Sequence, residues 1–122
     1  MPKRILLIED DRIVAKSLAR LFEQLGFSVM IASAGDLALK LADANTFDLI
    51  ISDIRMPGII GTEVVRQILA RPPHQKVPFI FITGYAVEEK IEGALEHGSV
   101  LCLKKPFEIP QLVSAIQSLI AV

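Results

Sequence analysis

The chain of 122 residues has the length of one ordinary domain and is long enough to bury a hydrophobic core. Its hydrophobic fraction of 52% excludes a disordered or fibrous chain. Its basic residues are scattered at a net charge of -1, which argues against direct binding of nucleic acid. No apolar run reaches the ~18–20 residues of a membrane span, and no signal-peptide pattern opens the chain. With a single cysteine, Cys102, we expect a cytoplasmic protein that does not enter a membrane.

The first half of the chain alternates between short apolar runs and amphipathic segments. In chain order the pattern predicts a strand at residues 4–8, a helix whose apolar stripe ends at Leu25 before Gly26, a strand at 28–32, a helix at 36–45 and a strand at 48–52. The strands are almost continuously hydrophobic, which is typical of strands that are covered on both faces.

The second half continues the alternation. The pattern predicts a helix with an apolar stripe at 64–69, a strand at 78–82, a helix at 87–95, a strand at 100–103 and a last helix at 112–120, with Pro110 suited to its first turn. Strand and helix thus alternate five times. This order predicts a parallel sheet with helices on both faces, in one domain that spans residues 1–122.

Chemically active side chains follow the predicted strands. Because all strands of a parallel sheet end at one edge, these residues are expected to meet there. They are Glu9, Asp10 and Asp11 after the first strand, Asp53 after the third, Thr83 after the fourth and Lys105 after the fifth. Taken singly, each has a structural alternative, and Asp11 is well placed to be the N-cap of the helix that begins near Arg12.

Taken together, the residues suit phosphoryl transfer. Neighbouring carboxylates repel one another and stay ionised only around a cation, and oxygen ligands favour Mg²⁺ or Mn²⁺ over zinc. A carboxylate neutralised in this way can attack a phosphoryl donor. The pattern therefore predicts Asp53 as the nucleophile, Asp10 and Asp11 at the metal, and Thr83 and Lys105 at the phosphoryl oxygens.

Four segments in this order and spacing resemble the receiver family of two-component response regulators. The segments are ILLIEDD at 5–11, DLIISDIRMPG at 48–58, FITG at 81–84 and KKPF at 104–107. The resemblance implies a flavodoxin-like, doubly wound, five-stranded parallel sheet of order 2-1-3-4-5 with five helices. It implies a phosphoacceptor rather than an enzyme.

The same resemblance implies a role for each site residue. Asp53 would accept the phosphoryl group, Asp11 and the backbone carbonyl of Arg55 would join it as direct Mg²⁺ ligands, Asp10 would act through metal-bound water, and Thr83 and Lys105 would bind the phosphoryl group. The implied partners are a histidine kinase or phosphotransfer protein and an unknown downstream protein or output domain. We expect a monomer or weak dimer.

The chain departs from the family at Cys102, where an aromatic residue usually stands as a switch. This departure keeps open an alternative function, a receiver-like interaction module that is never phosphorylated. A dehalogenase-type phosphatase is disfavoured because Arg55 stands where its second aspartate is needed, and a nucleotide-binding protein because Glu9 to Asp11 would repel a phosphate. His74 and His97 lack any catalytic or metal-binding pattern and are interpreted as structural.

Overall fold

The structure, a computed structural model, describes residues 2–54, 61–74, 76–83, 100–104 and 107–120. Strands and helices alternate along these residues as predicted. The strands are β1 (Arg4–Ile8), β2 (Ser28–Ala32), β3 (Leu49–Asp53), β4 (Phe79–Thr83) and β5 (Val100–Lys104). The helices are α1 (Arg12–Gln24), α2 (Gly35–Ala44), α3 (Gly61–Leu69) and α4 (Ile109–Leu119), with a short 3-10 helix at Pro72–His74.

The five strands form one parallel sheet of order β2-β1-β3-β4-β5. This confirms the predicted strand order, in which β3 is central and β2 and β5 are the edge strands. The predicted helix at 87–95 falls outside the described residues. In the described part of the chain, no helix is long and apolar enough to cross a membrane.

Two strands begin one residue later than the hydrophobic pattern predicts. Asp48 precedes β3, and its Oδ2 accepts a hydrogen bond from the backbone N–H of Arg4 at 2.8 Å. Pro78 precedes β4 and has no N–H to donate. Each strand also ends one residue later than predicted, because Asp53 pairs with Ile82 and Thr83 pairs with Lys104 in the sheet register.

The core consists of two layers, one on each face of the sheet. Alternate residues of β1 serve both: Leu6 and Ile8 pack on the side of α2 and α3, whereas Ile5 and Leu7 pack on the side of α1 and α4. All four side chains are buried. The central strands are therefore covered on both faces, which explains why their sequences are hydrophobic without alternation.

Local sequence signals mark the end of α1 and the start of α4. Gly26 follows α1 with a φ of 98°, a left-handed conformation that glycine adopts without steric cost. At α4, the side chain of Glu108 and that of Gln111 form a capping box, and Pro110 lies in the first turn as predicted.

We predict that Phe22→Ala lowers the free energy of unfolding by about 3–5 kcal/mol, because Phe22 on α1 is fully buried and its removal leaves a cavity. Lys16→Ala is the matched control, since Lys16 is exposed on the same helix and its loss should change stability by less than about 0.5 kcal/mol. Urea unfolding measures both. Equal losses in the two variants would contradict the packing described for α1.

Candidate functional site

The site lies at the carboxyl-terminal edge of the sheet, where β1 and β3 end side by side. Ile8 pairs with Ser52 in the parallel register, so the residues after Ile8 leave the sheet next to Asp53. The N–H of Glu9 donates to the carbonyl of Ala32 at 3.0 Å, which continues the bonding between β1 and β2 by one residue. The register thus brings acidic side chains from two strands to one place.

Three carboxylates meet at this edge. Glu9, Asp10 and Asp53 each offer an oxygen, and these oxygens all lie within 4.8 Å of one another. Glu9 is 5% exposed and Asp53 is 9% exposed, whereas Asp10 is open to solvent. Two of the three carboxylates are therefore withdrawn into the sheet edge, and the third closes the group from the solvent side.

The end of β3 is held by backbone bonds that fix the position of Asp53. The N–H of the following residue, Ile54, donates to the carbonyl of Ile82 at 3.2 Å. The hydroxyl of Ser52 donates to the carbonyl of Asp53 at 2.9 Å and is fully buried. Because the first bond ties the strand end to β4 and the second fixes the strand end locally, the Asp53 carboxylate projects from rigid backbone.

Asp11 has a different structural role from Glu9 and Asp10. Its Oδ1 accepts hydrogen bonds from the backbone N–H groups of Ile13 at 2.9 Å and Val14 at 3.2 Å, which makes Asp11 the N-cap of α1. It is not a member of the carboxylate group that forms among the described residues. The capping alternative is confirmed, while the role of Asp11 as a metal ligand stays a prediction that this geometry does not favour.

Glu9 belongs to the carboxylate group, although the sequence analysis did not predict it as a metal ligand. Its Oε1 accepts a long hydrogen bond of 3.3 Å from the N–H of Asp11, so the side chain turns back over the start of α1. A signal for Glu9 was present in the sequence. Once Asp11 is assigned to the helix cap, Glu9 and Asp10 remain as the acidic pair that follows β1.

The other predicted site residues are placed only in part. Thr83 ends β4 at the same sheet edge, one position beyond Ile82, which pairs with Asp53. Arg55 and Lys105 fall outside the described residues. Cys102 lies in β5, where it pairs with Phe81 in the sheet register.

The donor set fits a hard divalent cation. Glu9, Asp10 and Asp53 supply carboxylate oxygens without nitrogen or sulfur, and the exposed side at Asp10 leaves room for water ligands. Magnesium binds carboxylate oxygens and keeps several waters, whereas zinc prefers nitrogen and sulfur. The arrangement therefore suits Mg²⁺ better than zinc.

Comparison with known proteins agrees with the fold. The model of one protein family, the response regulator receiver domain, matches residues 5–117. A solved structure of the receiver domain of the sensor histidine kinase PA1611 from Pseudomonas aeruginosa PAO1, with a magnesium ion coordinated in its active site cleft, superposes with a TM-score of 0.85. That chain is 29% identical, and the match covers 100% of both chains.

Curated relatives are similar over almost the whole chain. A probable transcriptional regulator, ycf29 of Pyropia yezoensis, is 37% identical over 99% of this chain and 54% of its own length. The response regulator MprA of a Mycobacterium species, strain KMS, is 36% identical over 98% of this chain and 51% of its own length. The chain thus spans about half the length of these relatives.

We predict that Asp11→Ala lowers the free energy of unfolding by about 1 kcal/mol relative to Asp11→Asn. Both variants remove the carboxylate charge beside Glu9 and Asp10, but only asparagine can still accept the hydrogen bonds from Ile13 and Val14. The difference between their urea midpoints therefore reports the cap alone. Equal stability of the two variants would mean that Asp11 does not cap α1.

Proposed function

Because the chain belongs to the response regulator receiver domain family, we propose that it works as a phosphorylation switch with Asp53 as the phosphoacceptor. The observation that carries this proposal is the convergence of Glu9, Asp10 and Asp53 within 4.8 Å at the end of β1 and β3. Asp53 is the member of the group that comes from the central strand, on backbone fixed to β4.

We assign the binding of Mg²⁺ to Glu9, Asp10 and Asp53, with Mn²⁺ as an acceptable substitute because it takes the same oxygen ligands. When bound, the cation supplies positive charge that offsets the carboxylates and the phosphoryl oxygens. The backbone carbonyl of Arg55, two residues beyond Asp53, is a further ligand implied by the family. Asp11 keeps the helix cap in this assignment.

Asp53 reacts as an oxygen nucleophile. One of its carboxylate oxygens forms a bond to phosphorus while the bond between phosphorus and the imidazole nitrogen of a phosphohistidine donor breaks, so the phosphoryl group moves without gain or loss of electrons. The hydroxyl of Thr83 and the ammonium of Lys105 are assigned to the oxygens of the transferred group, whose negative charge they stabilise. The domain acts only on itself and is not an enzyme of other substrates.

The partners follow from this chemistry. The phosphoryl donor is a histidine kinase or a phosphotransfer protein, and the receiver of the signal is a downstream protein or an output domain. Since the curated relatives are about twice as long as this chain, an attached output domain is consistent with them. We place the domain, residues 1–122, in the cytoplasm as a monomer or weak dimer that does not contact nucleic acid itself.

The proposal predicts that incubation with a small phosphodonor and Mg²⁺ adds the mass of one phosphoryl group to the wild-type protein, and that Asp53→Asn abolishes this gain. Asp48→Asn is the matched control, because Asp48 precedes the same strand at its other end, where its carboxylate bonds to the Arg4 backbone. Intact-mass spectrometry with and without Mg²⁺ measures all three proteins.

A wild-type protein that binds Mg²⁺ but gains no phosphoryl group from several donors would contradict the switch. It would favour the interaction module that is never phosphorylated, the alternative that Cys102 in place of the usual aromatic residue keeps open. A gain in Asp53→Asn equal to that of wild type would instead place the phosphoacceptor on another residue.

A further inference from the structure

His74 carries a buried imidazole near the amino-terminal ends of the strands, opposite the carboxyl-terminal ends where the carboxylate group lies. It is the last residue of the 3-10 helix that leads from α3 into β4, and its side chain is 0% exposed. Its ring stacks on Phe47, with 6.1 Å between ring centroids and 29° between the planes. Phe47 lies between α2 and β3, so the stack joins two connections that enter neighbouring strands.

The surroundings of His74 favour its neutral form. Among the residues that the structure describes, neither ring nitrogen finds a hydrogen-bond partner of standard geometry. Burial is the largest cause that lowers the pKa of His74, and the nearby Arg71 acts in the same direction. The backbone of Asn45 and the carboxylate of Asp43 raise the pKa without overcoming the burial. An imidazolium in this position would lose its hydration and gain too few partners in return.

The charged side chains of Asp43 on α2 and Arg71, just after α3, form an ion pair with each other. Arg71 donates through its Nε to Asp43 and through a second guanidinium nitrogen to the carbonyl of Gln67 at 2.6 Å. The hydrogen bond from Arg71 is the main cause that lowers the pKa of Asp43, so this carboxylate remains ionised in its pair with Arg71. The carboxylate of Asp43 is thus already bonded to Arg71, and its attraction for a proton on His74 does not overcome the effect of burial.

Arg4, at the start of β1, places another positive charge near the stacked rings. The guanidinium of Arg4 lies 5.6 Å from the centre of the Phe47 ring, while the Arg4 backbone is bonded to Asp48. The nearest further cation along the chain is Lys76, which is exposed two residues after His74. A proton on His74 would add a positive charge to a region that already holds the guanidinium groups of Arg4 and Arg71.

We propose that His74 is a pH-sensitive latch, whose neutral ring holds the connection between α3 and β4 against Phe47 and whose protonation releases that connection. The imidazolium regains water only if the 3-10 helix moves away from Phe47. The latch shares no residue with the carboxylate group and does not depend on phosphorylation. It adds a second input to the domain at the edge of the sheet remote from Asp53.

The sign of the pH dependence follows from proton linkage. Unfolding exposes His74, whose pKa then rises to the ordinary value of about 6.5. The latch therefore contributes its full stability above about pH 6.5, and the contribution falls as the pH drops from there towards the lower pKa of the folded state. Over this window the unfolding equilibrium constant rises by up to tenfold per pH unit.

The first test compares urea unfolding of the wild type and His74→Phe, with His74→Leu as a smaller apolar variant in case the larger ring does not fit. Between about pH 7.5 and 5.5, the ratio of unfolding constants, wild type over variant, should rise by up to about tenfold. Carboxylates and His97 titrate in all three proteins and cancel in this ratio. A ratio that stays constant with pH would overturn the latch.

The second test needs only folded protein. Proton NMR measures the chemical shifts of the two imidazole rings of the chain as the pH changes. The spectrum of His97→Gln identifies which resonance belongs to His74. We expect His74 to titrate below its ordinary value of about pH 6.5. We also expect faster amide exchange, on protonation, at Val77, whose N–H donates to the carbonyl of His74 at 3.2 Å. Titration at or above about pH 6.5 without a change at Val77 would contradict the proposal.

Discussion

Repulsion among three carboxylates is the constraint on which the account of this domain depends. Like charges at the separations found between the carboxylates of Glu9, Asp10 and Asp53 repel one another. Two of the three are also withdrawn from solvent, which weakens the screening that water would provide. The proximity of the three carboxylates becomes useful when a hard cation binds, because the same charges then hold the cation beside the nucleophile.

The parallel sheet provides this arrangement by its register. Because Ile8 pairs with Ser52, the acidic residues after β1 leave the sheet next to the end of β3, and the burial of both strands on two faces gives that edge a rigid base. The other edge of the sheet is built differently. There the connections are joined by the stacked rings of Phe47 and His74 and by the ion pair between Arg71 and Asp43, and no carboxylate cluster forms among the residues described there.

The fold was predictable from the sequence because hydrophobic runs without alternation identify strands covered on both faces, and Gly26 and Pro110 mark helix ends. The starts of β3 and β4 were misplaced by one residue, since hydrophobicity does not register the side-chain bond of Asp48 or the missing N–H of Pro78. Among three consecutive acids, composition cannot separate a helix cap from a ligand, so Asp11 was favoured over Glu9. The burial of His74 depends on contacts with Phe47, 27 positions away in the chain, which no local pattern records.

The most direct test of the account is to measure Mg²⁺ affinity by calorimetry in three variants that each remove one carboxylate charge. We predict that Glu9→Gln and Asp10→Asn weaken binding by about tenfold or more, whereas Asp11→Asn, which keeps the helix cap, binds nearly as tightly as wild type. If Asp11→Asn lost the metal while Glu9→Gln and Asp10→Asn retained it, the carboxylate group described here would not be the metal site, and the central claim would be wrong.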